Sequence, residues 1–596
     1  MEKDKVVDVL SDIAILLELK GENPFKSRAY VSAARALENT SERLDQLVAE
    51  NRLGEVKGIG EGIQKKIVEL VTTGKLDYYE ELKASIEPGL RAMLELRGLG
   101  PKKIKALHDQ LGIKTIEELE KACQEGKVAG LRGFGEKTQT NIVESINQRR
   151  AYASKHLLFD ALTVGEPMLE ALREHPEVSQ CGLAGSLRRH KEVIGDLDFV
   201  VSSKHPAQVI DFFTSLPGIL KIIARGDTKA SVVLEGGLQC DLRVVSNAEY
   251  PFALLYFTGS KEHNIVLRQR AIQRGLRPNE YGLFRSQEET RDPALLIRCH
   301  TEAEIYEQLG LAFIPPELRE DMGEFAAAER GPLPRLVDWH DLKGSLHNHS
   351  VYSDGHNRLE EIAAYMEELG LAYWGITDHS KSSWQANGID SARLREQLEE
   401  VRQVNQRLAD SGSDFRLLTG IEVDILAGGK LDLPDDVLAE LDVVVASVHQ
   451  RLSQTEAETT QRVITAVENP YVNILGHISG RLLLEREPYA IDQRAVIDAC
   501  AAAGTFIELN ANPFRFDLDW RLWPYAKSKG VKCVINCDAH RNDQAMFLRL
   551  GAGIARKGWL TKQDVLNTLP LPELLKALWA KRKKHAPQKG KHGSDA

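Results

Sequence analysis

At 596 residues, with 42% hydrophobic and 28% charged side chains, the chain is too long for a single core, and roughly 100–200 residues per domain predicts about three to five domains. No run approaches the ~20 apolar residues of a membrane-spanning helix, the charged start Met1-Glu2-Lys3-Asp4 lacks a signal-peptide core, and seven scattered cysteines without zinc-site spacing read as reduced thiols of a cytoplasmic protein. The net charge of −10 does not exclude a nucleic-acid partner because it is segregated: residues 1–300 carry 43 basic and 43 acidic side chains, residues 301–500 carry 17 and 36, and residues 501–596 carry 17 and 8.

The first 150 residues hold three Gly-hydrophobic-Gly turns, Gly58-Ile59-Gly60, Gly98-Leu99-Gly100 and Gly133-Phe134-Gly135, each followed by a helical, lysine-containing stretch. Such a hairpin lets backbone N–H groups approach phosphates without side-chain obstruction. One turn of this kind is an ordinary helix connection. Three in series, standing ahead of the carboxylate-bearing region described below, favour a sequence-independent grip on nucleic acid that weakens as salt rises. Residues 157–245 mix helices with β-rich runs at 180–184, 197–202, 231–234 and 238–245. Pro315-Pro316 opens an irregular stretch, and Gly331, Pro332 and Pro334 mark a linker.

From about residue 340 strands and helices alternate. The apolar runs 343–347, 373–377, 416–421, 441–447, 472–476, 505–509 and 532–536 read as strands, with 358–369 and 391–409 among the intervening helices. Seven parallel strands with crossover helices predict a β/α barrel. The lysine- and arginine-rich end from Lys581 reads as a solvated tail.

Chemistry-bearing residues gather in two places. The first is Gly185-Ser186-Leu187-Arg188-Arg189 followed by Gly195-Asp196-Leu197-Asp198. Asp196 and Asp198 share a face of a strand, and paired carboxylates repel unless a cation such as Mg²⁺ lies between them. Asp241, on the run 238–245, could pair beside them, and three carboxylates can hold two metals about 3.5–4 Å apart for an attack by a 3′-hydroxyl on a triphosphate. Gly185 and Ser186 offer N–H and O–H groups to phosphate oxygens, and Arg189 a charge.

This set resembles the nucleotidyltransferase palm of the family X DNA polymerases, those related to DNA polymerase beta. The resemblance extends to Tyr256-Phe257-Thr258-Gly259-Ser260, which in that family joins palm to thumb against the sugar of the incoming nucleotide, and to Asn264, Arg268 and Asn279-Glu280-Tyr281. It implies that Gly185, Ser186, Arg189, Gly195, Tyr256, Phe257, Gly259 and Asn264 bind the nucleotide and that Arg268 approaches the template strand. Two positions depart from the pattern: Gln239 stands where the vertebrate enzyme has an arginine near the primer-side metal, and Ile265 where it has a lysine stacked on the template base. The three hairpins resemble helix-hairpin-helix motifs of the N-terminal and fingers regions. Lys26-Ser27-Arg28-Ala29-Tyr30 resembles the segment that holds a 5′-phosphate at a gap. Lys66 aligns with the Schiff-base lysine of lyase-active relatives, but Gly62 replaces a phosphate-binding lysine, so phosphate contact is favoured over lyase chemistry.

The second gathering is histidine-rich. His347, His349, His379, His449, His477 and His540 fall at or just beyond the C-terminal ends of the expected strands, with Asp354, Glu422 and Asp538 among them and His356 set apart on a turn. Imidazoles and carboxylates at that face of a barrel describe a metal site. These nine residues resemble the ligand pattern of the polymerase-and-histidinol-phosphatase (PHP) family, which implies up to three Zn²⁺ or Mn²⁺ ions and hydrolysis of phosphoesters: a 3′–5′ exonuclease, with 3′-phosphatase or abasic-site cleavage as further outcomes. An inert scaffold is the alternative for this region, and for the palm a nucleotidyltransferase acting on RNA or a small molecule, against which the three hairpins argue.

Together these readings predict a multidomain chain: a helical domain over 1–82, helix-hairpin-helix fingers over 83–150, an α+β nucleotidyltransferase palm over 151–258, a thumb over 259–318, a linker over 319–338, a seven-stranded β/α (PHP) barrel over 339–575 and a basic tail over 576–596. Gapped or primer-template DNA and dNTPs are the expected partners of a monomer with no membrane attachment, working in the bacterial cytoplasm on the nucleoid.

Overall fold

The computed structural model describes residues 3–585 apart from 39, 41–43, 97, 153 and 287, and the chain forms two compact units, Met1–Ala153 and Ser154–Ala596. The first unit is helical around one apolar cluster running from Val6 to Ile146. Its three Gly-x-Gly turns lead into α1 (Glu61–Thr73), α2 (Pro101–Leu111) and α3 (Glu136–Tyr152). The first glycine of each turn has a positive φ, +107°, +82° and +91° at Gly58, Gly98 and Gly133, which a β-carbon would resist. Ile59 and Leu99 are buried and anchor their turns while the flanking glycines stay exposed, so helix N-termini face outward.

The second unit begins with a five-stranded sheet of β1 (Gln180–Leu183), β2 (Asp196–Ser202), β3 (Ile219–Arg225), β4 (Lys229–Leu234) and β5 (Gln239–Val245), in the order β1-β2-β5-β4-β3. β2 and β5 run parallel and the other pairs antiparallel. The edge strand β3 was not among the expected strands. Its sequence lacks apolar alternation, and it leaves Leu220, Ile222 and Ile223 exposed. Helices α4 (Tyr250–Thr258) and α5 (Lys261–Gln273) follow. The stretch expected as a linker from 319 starts as packed structure: Arg319 is fully buried against Glu302 (2.6 Å), and buried Glu324 accepts from His263 Nδ1 at 2.8 Å.

All seven expected barrel strands are present: β6 (Gly344–Ser345), β7 (Tyr373–Ile376), β8 (Arg416–Asp424), β9 (Val443–Ser447), β10 (Ile474–Leu475), β11 (Phe506–Asn510) and β12 (Cys533–Asn536). They pair in sequence order and in parallel. The ring closes just past its last strand, where Asp538 N–H donates to the His347 carbonyl (3.0 Å) and His349 N–H to that of Ala539 (2.8 Å). Helices α6 (Leu359–Glu368), α7 (Ser391–Asp410), α8 (Phe547–Lys557) and α9 (Leu571–His585) belong to this domain.

The expected tail from 576 is corrected by α9. Leu574 and Leu578 pack beneath the strands, and buried Lys581 donates to the Val467 and Val472 carbonyls (2.6 and 3.0 Å) and to Thr505 Oγ1 (2.7 Å). A lysine with three acceptors can be buried at tolerable cost, which composition alone does not reveal. Residues 586–596 of the expected tail lie outside the described residues. Palm and barrel share one apolar core, with Phe159 edge-on to Phe547 at 5.5 Å. Among the described residues no helix is long and apolar enough to cross a membrane.

Candidate active sites

The palm carboxylates are aligned by strand register. Along β2, Asp196 and Asp198 alternate with buried Leu197, and parallel pairing sets Asp198 abreast of Asp241 on β5. Burial, then the charges of Asp196 and Asp241, push the Asp198 carboxyl up to about 7; a divalent cation between these groups would relieve that strain. Asp241 is held by Ser231 Oγ, by Gln239 Nε2 at 2.9 Å and by Lys229 at 3.6 Å. Gln239, the departure noted from the sequence, therefore orients the Asp241 carboxylate.

Gly185 opens the turn facing these residues. Its φ is +61°, and a β-carbon there would lie 2.1 Å from Asp198 Oδ2, so only glycine allows the loop to close over the carboxylate. The two arginines diverge. Arg188 donates to Thr258 Oγ1 (2.6 Å) and both oxygens of Glu302 (2.9 and 2.6 Å), whereas Arg189 lines a cleft of 960 Å³ with Gly185, Ser186, Asp196, Asp198, Tyr256, Phe257, Gly259 and Asn264. Gly195, also expected there, lies at the strand entry beside Lys155. Ile265 (47% exposed), Arg268 and the Asn279–Tyr281 turn line the same cleft, with Arg268 on Glu289 at 2.6 Å.

In the first unit Lys26 and Lys66 converge on one ring, 5.6 and 4.5 Å from the Tyr78 centroid. Tyr30, expected to face DNA, is buried and stacked on Tyr78 at 6.4 Å, so it supports the cationic pair from beneath. Tyr78 was missed; its ring is the element that gathers the two lysines.

At the barrel mouth, the strand ends bring the nine expected ligands together. Ligand atoms of His349, Asp354, His379 and His540 lie within 4.8 Å of one another, as do those of His347, His349 and Glu422, and those of His379, Glu422 and His449. His477 Nε2 is 2.9 Å from Glu422 Oε1, and Asp538 Oδ1 is 3.1 Å from His349 Nε2. His347 Nε2, His349 Nδ1 and Glu422 Oε2 are buried without a hydrogen-bond partner, and His379 Nδ1 points at Glu422 Oε2 across 2.7 Å without hydrogen-bond alignment. Buried lone-pair atoms aimed at one another cost heavily; a metal cluster would satisfy them, and the donor set fits Zn²⁺ or Mn²⁺.

The crowded imidazoles and carboxylates also shift one another's protonation. Burial opposes protonation of His449, but Glu422 and Asp424 raise it to about 10, while Asp354 and Asp538 raise His540 to about 9 against the same burial. Burial, His540 and His379 lower His349 to about 4. His356, by contrast, binds the His540 carbonyl through its backbone N–H.

Three contributors escaped the sequence reading. Fully buried Glu508 on β11 accepts from His347 Nδ1 at 2.6 Å, and Asp424 accepts from His449 Nδ1 at 2.9 Å; each fixes the ring so that Nε2 faces the centre. Arg515 lines the 470 Å³ pocket over the site, its Nε 3.4 Å from Asp538 Oδ2. A charged residue inside an apolar run, as in 505–509, was the available signal.

Family models match as DNA polymerase beta thumb over residues 253–320, helix-hairpin-helix domain over 1–76, SAM-like helix-hairpin-helix tandem over 90–148 and PHP domain over 345–512. The chain is 38% identical over 576 residues to the DNA polymerase/3′-5′ exonuclease PolX of Bacillus subtilis (strain 168), covering 96% of this chain and 99% of that one. A probable phosphatase of Thermoanaerobacter sp. (strain X514) is 29% identical over 235 residues, which is 37% of this chain and 89% of the relative. A Leishmania infantum polymerase beta ternary complex, 23% identical, covers 39% of this chain and 99% of that chain with a TM-score of 0.26.

Proposed function

Because this chain belongs to the PolX family of DNA polymerase/3′-5′ exonucleases, we propose that it fills gaps in DNA during base-excision or end repair, synthesising at the palm and trimming 3′ ends at the barrel. In this reading Asp196, Asp198 and Asp241 hold Mg²⁺, Arg189 and the Gly185-Ser186 turn take the triphosphate, and Tyr256, Phe257 and Asn264 face the sugar. The hairpins and the Lys26–Tyr78–Lys66 group hold the duplex and its 5′-phosphate by sequence-independent contacts.

At the barrel, His347, His349, Asp354, His379, Glu422, His449, His477, Asp538 and His540 would hold Zn²⁺ or Mn²⁺. Metals bound there supply charge neutralisation and an activated water for attack on phosphorus. Glu508 and Asp424 hold their histidines in the ligating tautomer, and Arg515 offers a cation to the phosphate. The observation that supports the hydrolytic half is the convergence of seven of the expected ligands in overlapping groups whose donor atoms lie within 4.8 Å of one another, with several of those atoms buried and lacking a hydrogen-bond partner. Removal of 3′-phosphates at the same centre uses the same chemistry.

The test is a gapped duplex incubated with and without dNTPs, in Mg²⁺ and then Mn²⁺. Template-directed filling with dNTPs and 3′ shortening without them are expected. Extension without template dependence, or an intact 3′ end in both metals, would overturn the reading.

A further inference from the structure

Helix α8 belongs to the barrel domain, yet one of its faces is built into the palm. Gly551 lies against Ala511 and Ile535 of the barrel, whereas a β-carbon on Gly553 would sit 2.1 Å from Cδ2 of His190. His190 ends the segment Gly185–His190, of which Gly185, Ser186 and Arg189 line the cleft. Four residues past Gly553, the Lys557 side chain is fully buried and its ammonium has three acceptors: the Arg189 carbonyl (3.1 Å), the Glu317 carbonyl (3.3 Å) and Glu320 Oε1 (2.5 Å). The same Glu320 oxygen accepts from Arg189 Nε at 3.1 Å. Lys557 thus fixes residue 189 twice, through its backbone and through the carboxylate that orients its guanidinium. Glu192, just past the turn, meets Arg521 at 3.3 Å, and Glu166, on the helix Leu158–Glu174, meets Arg549 at 2.7 Å, so the palm is tied to the barrel domain at two further points.

We propose that α8 is a structural part of the polymerase's nucleotide site, with Lys557 as a positioning residue that acts through Glu320 to set Arg189 against the triphosphate. The proposal rests on the reading of Arg189 as a triphosphate ligand. It assigns the barrel domain a role in synthesis independent of its own metal chemistry. The alternative, a docking contact with no bearing on the nucleotide, predicts that loosening it affects both activities alike or neither.

The full-length protein carrying Lys557→Met, which keeps length and removes charge, and Glu320→Gln, which keeps shape, would be assayed for gap filling over a range of dNTP concentrations and for exonuclease rate. Loss of a charge-assisted contact predicts a dNTP KM raised about tenfold in each variant with exonuclease unchanged. Gly553→Ala, which leaves Lys557 intact but drives into His190, should raise the same KM. In an Arg189→Ala background Lys557→Met should add nothing further, because the residue through which it acts is gone. If Arg189→Ala leaves the KM unchanged, the reading of Arg189 fails. If Arg189→Ala raises it while Lys557→Met and Glu320→Gln do not, if the two effects multiply, or if exonuclease falls in parallel, the positioning role is overturned. Should Lys557→Met not fold, the Glu320→Gln result decides.

Discussion

Glu508→Gln tests the barrel site through a residue that touches no expected metal position directly. Four donors converge on this carboxylate: His347 Nδ1 (2.6 Å) and Asn536 Nδ2 (2.9 Å) on Oε1, and the His477 N–H (2.8 Å) and Asn510 Nδ2 (3.2 Å) on Oε2. An amide of the same shape must place its NH₂ against one of these pairs, in either orientation. One pair of buried donors then loses its acceptor, at a cost of about 1–3 kcal/mol per group left unsatisfied. If the NH₂ faces Oε1's partners, His347 loses the bond that holds its proton on Nδ1 and its Nε2 lone pair toward the centre. If it faces the other pair, the backbone carrying His477 shifts. Loss of such a supporting bond lowers metal affinity by about 10–100-fold. The assay is exonuclease rate against free Mn²⁺ or Zn²⁺, with gap filling as the internal control: the metal curve should move to higher concentration while synthesis stays constant. An unmoved curve in a folded variant would refute the tautomer argument.

Three further outcomes are expected. Asp196→Ala with Asp198→Ala should lower synthesis by about 10³-fold or more, the scale of several kcal/mol of lost charge stabilisation, and leave 3′ trimming intact, whereas His347→Ala with His349→Ala should do the reverse; loss of both activities from each pair in folded protein would refute two separate centres. Gly185→Ala, with its β-carbon driven to 2.1 Å from Asp198 Oδ2 at φ +61°, should cost synthesis more than stability, since left-handed strain alone is about 1–2 kcal/mol; a thermal melt beside an extension assay separates the two. Because the metal-free Asp198 carboxyl is raised to about 7 by burial, Asp196 and Asp241, Mg²⁺ must displace a proton below that pH. The Mg²⁺ concentration for half-maximal synthesis should therefore rise about tenfold per pH unit below 7 and level off above it, and a flat titration from pH 6 to 8 would contradict the raised carboxyl.

Local chemistry made much of this protein readable in one dimension. The Gly-x-Gly turns, the Gly-Asp-x-Asp strand and the histidines at strand ends are short-range patterns, since strand alternation and turn geometry act over a few residues. The barrel was legible for the same reason, its seven apolar runs recurring between amphipathic helices. Edge strand β3 was not, because an edge with exposed Leu220, Ile222 and Ile223 carries no burial pattern. Lys581 resembled a tail residue until the helix that carries it folded under the barrel and met three acceptors. Glu508, Asp424 and Tyr78 each act by touching residues distant in the chain, Glu508 reaching His347 across 161 positions. The bond from Lys557 to Arg189 spans 368. Which residue types stand at each centre is thus set by sequence. How those residues are held, and that a helix of the barrel domain packs against Arg189 and His190 of the palm, follows only from packing, because buried charges choose their partners by proximity in the folded chain.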